Sequence, residues 1–78
     1  MSAWHEQDGK LVKDLEFANF AEAMAYVNRV AATAEEANHH PDLLVHGWNR
    51  VRLTLYTHTQ DAITDADREM AATIDRLT

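Results

Sequence analysis

The chain has 78 residues, 46% of them hydrophobic and 26% charged, with a formal net charge of −6. That length allows one domain, and the acidic balance argues against sequence-independent nucleic-acid binding, which requires a basic face. There is no cysteine, which excludes disulfides and thiolate metal sites and fits a cytoplasmic protein.

No apolar run approaches the ~18 residues that a membrane span needs. Met1-Ser2-Ala3-Trp4-His5-Glu6 lacks the basic-then-apolar order of a signal peptide. A core this small buries a modest share of its surface, so self-association is expected.

Along the chain, Asp8-Gly9 is a turn signal between two short segments, the first holding Trp4. Residues 10–17 read as a strand with Leu15 and Phe17 inward and Glu16 outward, interrupted by Lys13. Asn19 then caps a helix over residues 20–38, with Glu22 at the capping-box position. Phe20, Met24, Val27, Val30, Ala31 and Ala34 make its apolar stripe. Glu22, Asn28, Arg29, Glu35 and Glu36 occupy the other side, and the many alanines favour helix and permit close packing. About 19 residues at ~1.5 Å each give roughly 28 Å. Asn38 suits the helix end, and Pro41 prevents continuation.

Residues 43–45 form a short strand and His46-Gly47 a turn. Residues 48–57 give the strongest strand: Val51, Leu53 and Leu55 alternate with Arg50, Arg52, Thr54 and Tyr56. Residues 59–63 are a loop. Thr64 caps a last helix with Asp67 at the box position, and Met70, Ile74, Leu77 and Ala71 form its stripe. The order β-β-α-β-β-α predicts an α+β two-layer sandwich, a four-stranded antiparallel sheet with helices on one face.

Chemistry concentrates in the histidines. Three of five, His39, His40 and His58, fall in one 20-residue window, at the ends of a helix and a strand. Imidazole exchanges protons near neutral pH, and element ends can converge on a cleft, which points to acid–base chemistry.

The blocks Asn38-His39-His40-Pro41-Asp42, Trp48-Asn49-Arg50-Val51, Leu53-Thr54-Leu55-Tyr56-Thr57-His58, Ile63-Thr64 and Asp67 resemble the pterin-4a-carbinolamine dehydratases. Upstream, Trp4, Phe17 and Phe20 extend the resemblance over nearly the whole chain, read as one domain over residues 1–78. The resemblance implies an α+β fold and dehydration of 4a-hydroxytetrahydropterin to quinonoid dihydropterin and water. It also implies a place in tetrahydropterin regeneration for aromatic amino acid hydroxylases, and homodimers or homotetramers built by edge pairing and helix packing. The pterin is the substrate, and no cofactor or metal is implied. Two positions depart from the pattern. Ala62 stands where a glycine is common, which suggests a different loop. Asn38 stands where some members have Asp, leaving one carboxylate fewer beside the histidines.

Loss of the 4a-hydroxyl needs one proton delivered to the leaving oxygen and one removed from N5, so one acid and one base suffice. His39 and His58 are the acid–base candidates, with His40 positioning the ligand or exchanging protons. Asn38, Pro41, Tyr56, Thr57 and Asp67 are candidates to contact substrate.

Simpler readings stand beside these. Histidines at a helix C-terminus can merely favour the dipole. Three histidines can bind zinc, although adjacent side chains seldom point the same way. Asp67 serves equally as a cap, and Trp48 as core or hairpin packing. His5 and His46 read as solvent-facing, Arg50 and Arg52 as a solvated sheet face, and Met24 and Met70 as core. A catalytically idle relative acting as an oligomeric binding or scaffolding module is the alternative function.

Overall fold

The structure, a computed structural model, describes residues 3–77. Strands β1 (His5–Gln7), β2 (Lys10–Glu16), β3 (Asp42–His46) and β4 (Arg50–Leu55) and helices α1 (Phe20–Ala37) and α2 (Asp65–Asp75) run in the order β1-β2-α1-β3-β4-α2. The four strands form one antiparallel sheet in the order β1-β2-β4-β3. The α+β architecture is the expected one.

Each strand pair has a local cause. Asp8 and Gly9, both at positive φ, close the β1–β2 hairpin in two residues, placing Gln7 opposite Lys10. The central β2–β4 pair is keyed by charge. Asp14 faces Arg52 and Glu16 faces Arg50 on the outer face, and Arg52 grips Asp14 through Nε at 2.8 Å and Nη2 at 3.1 Å. A one-residue slip would break these pairs and turn the apolar residues outward.

On the other face, Leu11, Val51, Leu53 and Leu55 meet Ala23, Tyr26, Val30 and Ala34 of α1 and Met70, Ala71 and Ile74 of α2. Both helices therefore cover one side of the sheet.

Several sequence expectations are corrected. The buried stripe of α1 is Ala23, Tyr26, Val30 and Ala34, while Phe20 is 53% exposed and Met24, Val27 and Ala31 are half-buried. Alanines on nearly every side of the helix leave its rotation unspecified by pattern. The rotation follows instead from the Tyr26 ring, fully buried and 5.2 Å from that of Phe17. The long strand is shorter than expected, because Trp48 and Asn49 belong to the β3–β4 turn. Trp48 is 62% exposed there, at φ 57°, so it is turn rather than core. Lys13 does not interrupt β2. It lies on the inward face and is buried, with Nζ donating to Asp75 Oδ1 at 2.7 Å. Trp4 Nε1 donates to the same oxygen at 2.9 Å.

Burial pushes the Tyr26 phenol above its ordinary range; the Asp75 charge adds to this and Arg29 opposes it. Its hydroxyl has no hydrogen-bond partner among the described residues. A buried unsatisfied donor is a cost, so Tyr26→Phe should be neutral or stabilising by up to about 1 kcal/mol. Tyr26→Ala, which empties the centre of α1's contact, should cost about 3–5 kcal/mol. Urea midpoints of the two variants against the parent check both signs.

Candidate functional site

Three chain segments meet at one end of the sandwich. The first is the C-terminus of α1. Asn38 adopts the left-handed conformation (φ 52°, ψ 40°), one of the few residue types that does so readily. The His39 amide then bonds back to the Ala34 carbonyl at 3.2 Å, and the chain leaves the helix axis carrying His39 and His40. The second segment is the end of β4, with Tyr56, Thr57 and His58. The third is the start of α2, with Thr64 and Asp67. A tight loop joins the last two: the Thr57 amide donates to the Ala62 carbonyl at 2.9 Å. The positive φ in this loop falls on Asp61 (49°), so Ala62 is not strained where a glycine is common.

Asp67 ties the three segments together. It lies on the same stripe of α2 as Met70, Ala71 and Ile74, and its relative exposure is 0%. Burial pushes its carboxyl up. Three hydrogen bonds outweigh that and hold it below the usual range. Asp67 Oδ2 accepts from the Thr64 amide and the Thr57 hydroxyl, both at 2.9 Å. Asp67 Oδ1 meets His39 Nε2 at 2.5 Å.

Because the Thr57 hydroxyl is spent on Asp67, it must accept from Thr64 Oγ1, 2.7 Å away. A carboxylate can only accept, so Nε2 of His39 carries a proton and Nδ1 is left as its exchangeable position.

His40 Nε2 meets Glu35 Oε2, also at 2.5 Å, with both side chains largely exposed. His58 is exposed and its ring lies 4.5 Å from that of Tyr56, inclined by 44°. Asn38, His39, His40, Tyr56, Thr57, His58 and Thr59 line one cleft of about 230 Å³. Of the expected site residues, seven are thus at or behind this cleft: Asp67 reaches it through His39 and Thr57, and the other six line it. Pro41 does not line it; it carries the chain from His40 into β3.

Sequence reading missed Glu35 as a partner. The spacing to His39 is one helical turn, which suggests that pair, yet the left-handed Asn38 gives Glu35 to His40 instead. Thr64, read only as a cap, also supports Thr57. Among the described residues no group of three or more His, Cys, Asp or Glu side chains is arranged to hold a metal ion. No helix there is long and apolar enough to cross a membrane. A larger hollow of about 400 Å³ lies between β1 and α2, but Glu6 and Arg68 pair across it at 3.5 Å, and Asp75 is engaged by Trp4 and Lys13.

A depressed carboxylate pKa stabilises the fold above the unfolded-state value, and that stability is lost as pH falls through the folded value. Asp67→Asn should therefore cost about 1–3 kcal/mol near pH 7, as expected for a broken buried network. The gap between parent and variant should close toward pH 3. Denaturation midpoints over that range check it; a gap constant with pH would mean that the charge of Asp67 contributes nothing.

A family profile described as Pterin 4 alpha carbinolamine dehydratase matches residues 1–77. Relatives with the provisional name pterin-4-alpha-carbinolamine dehydratase include one from Thermomicrobium roseum, 49% identical over 95% of this chain and 78% of its own length. Another, from Rubrobacter xylanophilus, is 48% identical over 86% of this chain and 62% of its own length. Among solved structures, a transcriptional coactivator/pterin dehydratase from Brucella melitensis aligns with TM-score 0.87 at 28% identity, over 96% of this chain and 81% of that one. A pterin dehydratase-like protein identified as a RuBisCO assembly factor in the alpha-carboxysome aligns with TM-score 0.76 at 29% identity, over 99% of this chain and 89% of that one. This chain belongs to the pterin-4a-carbinolamine dehydratase family.

Proposed function

We propose that this protein is an active dehydratase, converting 4a-hydroxytetrahydropterin to quinonoid dihydropterin and water by histidine acid–base catalysis. The observation that carries the reading is His39, His40 and His58 lining one cleft, with His39 fixed by a buried carboxylate. In the reaction, the N5 lone pair pushes out the C4a hydroxyl, the leaving oxygen takes a proton, and N5 then loses its own. One donor and one acceptor on either side of the bound ring serve these transfers.

His39 suits one role because its contact with Asp67 sets its tautomer and orientation. His58, on the same cleft and with no carboxylate contact among the described residues, suits the other. His40, paired with Glu35 in solvent, suits proton exchange with water or positioning. Asn38, Tyr56 and Thr57 supply walls for the pterin, Asp67 acts from behind, and Pro41 sets the direction in which His40 leaves the helix.

His39→Ala and His58→Ala should each lower kcat by about 10²-fold. The assay follows carbinolamine loss against the spontaneous rate, with circular dichroism as the folding control. Parental rates in both folded variants would overturn the assignment. A second reading, an idle assembly module, draws support from the RuBisCO assembly factor among the structural neighbours. A parent protein that leaves the spontaneous rate unchanged would favour it.

We also propose self-association to a homodimer or homotetramer. Strand β3 is an edge of the sheet with no further strand beside it among the described residues, and Leu44 and Phe20 are each 53% exposed. Sedimentation equilibrium at micromolar concentration should give at least twice the chain mass; a single-chain mass at all concentrations would refute it.

A further inference from the structure

The β1–β2 hairpin brings a cation to the rim of the histidine cleft. Its two-residue turn fixes Lys10 opposite Gln7, and the side chain is half-buried rather than loose in solvent. Lys10 Nζ lies 4.8 Å from the centroid of the Tyr56 ring. Tyr56 is a wall of the cleft and its ring is 4.5 Å from that of His58. The ammonium is therefore within about 10 Å of His58, about one Debye length at 0.1 M salt.

The charges around the cleft are unevenly committed. Asp67 is taken up by His39 and Glu35 by His40. Lys10 has no ion pair among the described residues; its contact is with a neutral ring. The chain as a whole carries −6, so it repels anions except where a local cation is left uncompensated. The cleft, at about 230 Å³, is smaller than the ~300–1,000 Å³ typical of pockets that enclose a ligand. It can take a bicyclic ring and leave that ring's substituent on the rim.

We propose that Lys10 is a specificity-determining residue that selects reduced pterins with an anionic group on the side chain over those with a neutral one. This rests on the pterin reading above. Phosphate monoesters and carboxylates share the required chemistry, since a lysine ammonium recognises either as a point charge.

The test titrates three stable dihydropterins, with a polyol, a phosphomonoester and a carboxylate side chain, into the parent, Lys10→Met and Lys10→Arg. Lys10→Met keeps an unbranched side chain of similar length and removes the ammonium. The parent should bind at least one anionic ligand about five- to tenfold more tightly than the polyol, as expected for one partly screened charge pair. Which of the two it favours identifies the natural anion. The preference should shrink in about 0.5 M salt, vanish in Lys10→Met and persist in Lys10→Arg. A parent that does not discriminate, or a preference that survives in Lys10→Met, overturns the proposal. Accelerated carbinolamine loss without discrimination would remove the role of Lys10 alone. No binding of any pterin and no acceleration would remove the pterin reading with it.

Discussion

A buried carboxylate cannot be left half-satisfied, and Asp67 is the point on which this small fold turns. Its neighbours on α2 are the core residues Met70, Ala71 and Ile74, so it is drawn inward by the same packing that buries them. Once there, its charge demands donors. They come from three places in the chain: the Thr64 amide at its own helix start, the Thr57 hydroxyl at the end of β4, and His39 beyond α1. Satisfying the carboxylate and orienting His39 are one event. Any state of the chain in which the site is misassembled also leaves a charge stranded in the core.

A second acidic residue secures the other end of α2. Asp75 lies at the helix C-terminus, where the helix dipole disfavours a negative charge. Lys13 and Trp4 both donate to it, joining α2 to β2 and to the start of the chain. The two carboxylates are separated by eight residues, about 12 Å along a helix. Each pins one end of α2 through groups distant in sequence. For a chain whose apolar core is this small, such paired polar contacts define how the second helix lies across the sheet, while burial of Leu53, Leu55 and Ile74 supplies the driving force.

How much of this could be read in advance follows from the physics of each element. The alternation of β4 and the turn at Asp8-Gly9 are local signals, and they are correct. The β2–β4 register was also latent in the sequence, since Asp14 and Glu16 match Arg50 and Arg52 at the same spacing. Asp67 sits three and four residues before Met70 and Ala71, which marks a carboxylate on an apolar stripe. The rotation of α1 was not legible, because alanine on every side gives no contrast. Nor was the Glu35–His40 pair, which depends on the left-handed turn at Asn38 rather than on helical spacing. Lys10 and Tyr56 meet only because β2 and β4 are neighbours in the sheet, a fact of topology that no local pattern carries.

The three histidines are therefore coupled to the fold to different degrees. His39 shares its carboxylate with the network that assembles α1, β4 and α2, so changing it disturbs packing as well as chemistry. His40 and His58 stand in solvent, held by Glu35 and by the Tyr56 ring, and the core does not need them. Drift at those two positions would leave the sheet, both helices and the Asp67 network in place. A scaffold of this construction can lose its exposed histidines without losing its shape. In this chain the two exposed histidines keep their contacts with Glu35 and Tyr56 and line the same cleft as His39, a placement that the packing of the core does not require.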